Sequence, residues 1–204
     1  MVRLLTPVMA AFLTVSCASV DLIGAYRLSR QDYETVDPAL WRAAVLHPMG
    51  ADISYLHITL KDDEDPEDVT RLEFVKADEA PASELPTPDE DEILAIYRVD
   101  PMAVEEARRL QKIWLQEEGN GDRSLGVNVS YKLTKSFERA WCEDEADLVS
   151  PVWVRIEPTA RFRRILKPDA LDKVMKPASK ERCAAVLTGD EDPPGVTATE
   201  SVGG

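Results

Sequence analysis

From Leu125 to Leu133 the chain reads Leu-Gly-Val-Asn-Val-Ser-Tyr-Lys-Leu, with Leu125, Val127, Val129, Tyr131 and Leu133 apolar and small or polar residues between them. A period of two places the apolar set on one buried face of a sheet and leaves the other face polar. Shorter alternations predict strands at Gly24 to Leu28, Ile53 to Leu60, Leu72 to Val75, Ile93 to Val99 and Val152 to Ile156. One polar and one apolar face per strand is the signature of mostly antiparallel pairing.

A period near 3.6 replaces this pattern from Pro101 to Glu118. Asp100 suits the N-cap, Pro101 the first turn, and Gly119-Asn120-Gly121 the stop. Ala103, Ala107, Leu110, Ile113 and Trp114 form its apolar stripe. A shorter helix is expected to begin at Asp37-Pro38 and to carry Leu40, Trp41, Ala44 and Val45, and others to span 169–175 and 179–187. The fold class is therefore α+β, a mostly antiparallel sheet with packed helices.

Segments 24–77 and 93–157 both read strand, helix, strand, strand. Tyr26-Arg27-Leu28 echoes Tyr97-Arg98-Val99, and Val36-Asp37-Pro38 echoes Val99-Asp100-Pro101, so the halves are a candidate duplication. Their spacings differ, and Asp-Pro is a common helix start. Prolines and charges in 77–91 predict an exposed linker. Residues 189–204, rich in Gly, Pro, Thr and acids, lack apolar periodicity and read as a disordered tail.

The N-terminus has Arg3 and then twelve uncharged residues, Leu4 to Val15. As helix these reach only ~18 Å, short of a bilayer core of roughly 30 Å. A signal peptide over residues 1–16 is expected instead. Leu13-Thr14-Val15-Ser16-Cys17 resembles the lipobox of bacterial lipoproteins, with Thr14 where Leu is usual. The resemblance implies cleavage before Cys17 and acylation of its thiol, which palmitate would label. It also implies a domain over 17–188 anchored to a membrane of the cell envelope. Ala18, where an Asp would mark inner-membrane retention, implies the periplasmic face of the outer membrane. The alternative is a soluble secreted protein with a stray cysteine.

With Cys17 acylated, Cys142 and Cys183 are left as an even pair in an oxidising compartment, where a disulfide is expected, the rival being two unconnected thiols. Charge changes the picture further. The whole chain carries −14, residues 62–100 hold fifteen acids against three bases, and residues 155–182 hold nine bases against four acids. Such a chain is a poor partner for nucleic acid, which needs a dominant basic surface. The basic stretch reads as a solvated helix face or a patch for anionic headgroups.

Candidate chemistry is sparse. The sequence has no G-x-S-x-G, S-x-x-K, H-E-x-x-H, C-x-x-C or phosphate-binding glycine loop. His57 is expected on the Tyr55 and Thr59 side of its strand, exposed, and His47 at a helix end. Neither has an evident nucleophile or second base. The acidic run 62–68 lacks EF-hand spacing and reads as a charged turn, so no metal and no cofactor are expected. The leading reading is a non-catalytic binding or assembly component with an envelope protein as partner. A hydrolase and a lipid-carrying module are the other readings.

Overall fold

A computed structural model describes residues 35–62, 69–116, 123–170, 172–173 and 179–188. Cys17, the signal segment, the expected strand 24–28, the acidic positions 63–68 and the tail 189–204 lie outside the described residues.

The architecture is α+β, as the alternation predicts. Seven strands form one antiparallel sheet: β1 Arg42–Pro48, β2 Ala51–Asp62, β3 Val69–Lys76, β4 Glu92–Val99, β5 Arg123–Leu133, β6 Val152–Arg155 and β7 Arg163–Leu166. Their order is β5-β2-β3-β4-β1-β6-β7. Strands of the two candidate halves are intermixed in this sheet, so the halves do not form separate bodies. The helices are α1 Pro101–Gln116, α2 Lys135–Cys142 and α3 Lys180–Thr188. Ala170, Asp172 and Lys173 are also helical, part of the turn expected at 169–175. No helix among the described residues is long and apolar enough to cross a membrane.

Two expected elements are corrected. Asp37-Pro38 does start a helix, with the Asp37 carboxylate accepting from the Ala39 N–H at 3.1 Å. It ends after one 3-10 turn, Pro38–Leu40, as Trp41 turns extended. Ala44 and Val45 therefore belong to β1, a central strand between β4 and β6 with five successive buried residues. A strand covered on both faces shows no alternation, and its Ala-rich run imitates a helix. Trp141 lies on α2. Thr134 caps that helix by accepting from Phe137 N–H at 3.3 Å, and Glu138 and Trp141 are its buried residues. The basic stretch is not one helix face either, since Arg155 lies on β6 and Arg163 and Arg164 on β7.

One face of the sheet carries the main core, with Trp41, Val45, Leu56, Ile58, Leu72, Val127, Val129, Val152 and Leu166 packed against Val104 and Ala107 of α1 and Trp141 of α2. Each large side chain buried here contributes roughly 1.5–3 kcal/mol relative to exposure. Asp100 caps α1 by accepting from Met102 N–H at 2.8 Å. The side chains of Leu110, Ile113 and Trp114 lie outside the description. Cys142 and Cys183 form a disulfide, Cα atoms 5.2 Å apart, and tie α2 to α3 beside the Glu138–Arg182 ion pair.

The segment 77–91 is not a free linker. It connects β3 to β4 and lays Ala77, Ala82 and Leu85 on Ala44, Ile96, Trp153 and Phe162 of the opposite sheet face. Most of its residues are exposed, but Leu85 is buried.

Candidate functional site

The turn Met49-Gly50 joins β1 to β2, yet these strands do not pair, because β3 and β4 lie between them. In a flat sheet strands three positions apart are ~14 Å apart, whereas the three Cα steps from Pro48 to Ala51 reach at most ~11 Å. The sheet must curl and part at this end. β3 allows the parting by pairing with β4 only from Phe74 to Lys76.

Gly50 holds the turn. Its φ is +90°, and a Cβ there would lie 2.8 Å from Thr134 Oγ1 and 3.0 Å from Phe137 Cβ. Its carbonyl accepts from Thr134 N–H at 2.7 Å, fastening the turn to the cap of α2. Just beyond it, β2 shifts register against β5 between Ile53 and Tyr55. Such a bulge bends a strand and redirects its side chains.

The parting holds a cavity of about 440 Å3. Its polar lining is His47, Asp52, Ser54, Tyr55, Lys76 and Tyr97, and its apolar lining is Ile53, Leu56, Phe74, Val75 and Ile93. The volume lies within the roughly 300–1,000 Å3 of small-molecule sites.

His47 sits on this strand end, 4 % exposed, rather than at a helix terminus. Burial lowers its pKa, opposed by the Pro48 carbonyl and the Asp52 charge, while Lys76 lowers it further. Its Nδ1 lies 3.3 Å from the Pro48 carbonyl oxygen. A carbonyl only accepts, so Nδ1 is the donor of that contact, and the Ala51 carbonyl also favours a protonated ring. Tyr97 is pushed up to about 12 by burial and by Asp52, so it is a neutral phenol. Burial and then Glu73 also raise Tyr55. Among the described residues Asp52 and Lys76 form no ion pair, which leaves one carboxylate and one ammonium at the cavity.

His57 occupies the side of β2 expected for it but is buried, 6 % exposed. Glu73 of β3 and Asn128 of β5 flank it in register, and the Tyr55 ring lies 4.5 Å away. Burial and Arg71 lower its pKa against the opposing Glu73. A neighbour on each side and one along the strand enclose what alternation alone leaves open.

Nothing in this arrangement activates a nucleophile. Ser54 donates to the Ser130 carbonyl at 3.2 Å, Ser150 donates to the Leu46 carbonyl at 3.0 Å, and Tyr131 pairs with Ser150. The resolved carboxyl shifts, at Asp37, Glu79, Glu106 and Asp169, are all downward, each chiefly through an Arg or Lys partner. Among the described residues no group of His, Cys, Asp and Glu could hold a metal ion. Asp52, Lys76 and Tyr97 do not stand out in the sequence. Compared with known proteins, the chain matches no family model, no curated protein and no solved structure.

Proposed function

We propose that this protein is a lipid-anchored component of the cell envelope that binds a partner through the cavity without catalysis. The anchoring part is supported by the resemblance of Leu13 to Cys17 to a lipobox, which implies attachment at Cys17, and by Ala18, which implies the periplasmic face of the outer membrane. The observation that carries the binding part is the cavity itself. It combines a carboxylate, an ammonium, two phenols and an apolar wall, while its serine hydroxyl is spent on a backbone carbonyl. Such a lining orients a guest group and supplies no attacking atom.

A photo-crosslinking residue in place of Lys76, in tagged full-length protein in cells, tests the reading. Reproducible capture of one envelope protein from position 76, and not from the exposed position 112 on α1, is expected. Equal capture from both positions would sink it.

The hydrolase is the second reading, favoured by one observation: a neutral imidazole and a carboxylate, His47 and Asp52, share the cavity. In that reading the His47 imidazole takes a proton from water. Turnover of any ester or peptide substrate that is abolished in His47→Gln would establish it.

A further inference from the structure

The face of the sheet opposite the main core carries three arginines in register. Arg42 of β1 pairs with Arg98 of β4 on one side and Arg155 of β6 on the other. Residues opposite one another in an antiparallel pair point to the same face, and like charges so placed are destabilising. Three guanidinium groups across roughly 10 Å of sheet, two strand spacings, therefore call for counter-charge.

Among the described residues one carboxylate forms an ion pair with this row. Glu79, on the segment laid over this face, accepts from Arg42 Nε at 2.9 Å through both oxygens and lies 2.9 Å from its NH2. The pKa of Glu79 is lowered first by its hydrogen bond to Arg42, against the cost of burial, and then by the charges of Arg42, Arg155 and Arg98. Among the described residues neither Arg98 nor Arg155 has an ion pair of its own. The Arg155 guanidinium carbon sits over the Phe162 ring, 4.6 Å from its centroid, and the buried Nε has no hydrogen-bond partner among the described residues. Arg98 is exposed.

We infer that Arg98, Arg42 and Arg155 form a binding site for a phosphate group, with Glu79 as the resident anion that the phosphate displaces. A phosphoryl group has the oxygens to accept from several guanidinium forks at once, which one carboxylate cannot do. The phosphate source is a free phosphate compound or the headgroup of an anionic lipid. This inference does not depend on the cavity.

The test compares full-length wild type, Arg98→Gln, Glu79→Gln and Lys112→Gln, with circular dichroism confirming that each is folded. Inorganic phosphate is titrated by calorimetry. Separately, vesicles of phosphatidylcholine, with and without phosphatidylglycerol, are tested by co-sedimentation. Arg98→Gln should weaken binding about tenfold, as for the loss of one charge-assisted hydrogen bond. Glu79→Gln should strengthen it, and Lys112→Gln, which removes the same charge from α1, should leave it unchanged. This order with phosphate assigns a free phosphate compound; the same order with phosphatidylglycerol vesicles alone assigns a lipid headgroup. No binding in either arm, or equal weakening in Arg98→Gln and Lys112→Gln, overturns the site.

Discussion

The indole Nε1 of Trp141 donates to the carboxylate of Asp172 across 2.6 Å, and the same oxygen accepts from the Leu148 N–H at 3.2 Å. One acid thus satisfies two donors at the edge of the core, where both Trp141 and Leu148 are buried. A hydrogen bond to a charged group contributes about 1.5–3 kcal/mol, and a buried donor left alone costs a similar amount. Asp172→Ala is expected to lower stability by about 2–4 kcal/mol in urea unfolding, and Asp172→Asn, which keeps an acceptor, by less. Equal losses would show that the acceptor does not matter.

The disulfide closes a loop of 41 residues between Cys142 and Cys183. In the chain-entropy model a loop of that length contributes about 4 kcal/mol. Urea midpoints with and without reductant should differ accordingly, and Cys183→Ser should abolish the difference. An unchanged wild-type midpoint under reductant would remove the stabilising role.

Gly50 is required both by its positive φ and by the 2.8 Å approach of Thr134 Oγ1. Gly50→Ala is expected to cost about 1–3 kcal/mol through backbone strain, with a matching fall in melting temperature. The variant should also disturb the cavity lining, visible as shifted NMR signals of the Tyr97 and His47 rings. A variant as stable as wild type would mean that the turn relaxes freely.

Burial lowers the pKa of His47 and of His57 below the ordinary 6.5. The unfolded chain therefore takes up protons that the folded state refuses, so stability rises with pH through this window. The contribution is complete above 6.5 and is lost as pH falls toward the folded-state values. Urea midpoints should decline between about pH 7.5 and pH 5.5, less steeply in His57→Gln. Asp37 and Glu79 act at lower pH, since their pKa values are depressed from 3.8 and 4.5. A flat profile above pH 5.5 would contradict the burial of both imidazoles.

Acylation at Cys17 predicts that cells fed radiolabelled palmitate label the wild-type protein and not Cys17→Ala. Equal labelling of both, or none of wild type, would refute attachment there.

The sheet was legible where one face meets water and the other the core. Leu125 to Leu133 announces β5, and Asp100 with Pro101 announces α1. β1 was hidden because burial on both faces erases the alternation from Ala43 to His47. α2 was hidden because eight residues leave little room for a period, although Thr134 followed by Phe137 and Trp141 is a readable start. The cavity depends on sheet order, which no local pattern encodes: His47, Asp52, Lys76 and Tyr97 meet only because β3 and β4 separate two strands joined by a short turn. The arginine row is equally invisible, since Arg42, Arg98 and Arg155 are neighbours by register and distant in sequence.

That same connection between β1 and β2 bears on how the chain folds. Consecutive strands here cannot zip together as a hairpin: β1 waits for β4, and β2 meets β5 through pairs such as Leu56 with Val129. Closing such long loops precedes the gain from pairing β1 with β4 or β2 with β5, which slows folding. A nascent chain that ends before Glu92 has β2 and β3 to pair but no partner for β1, so the apolar run from Ala43 to Leu46 must be kept from other chains until synthesis has passed β4.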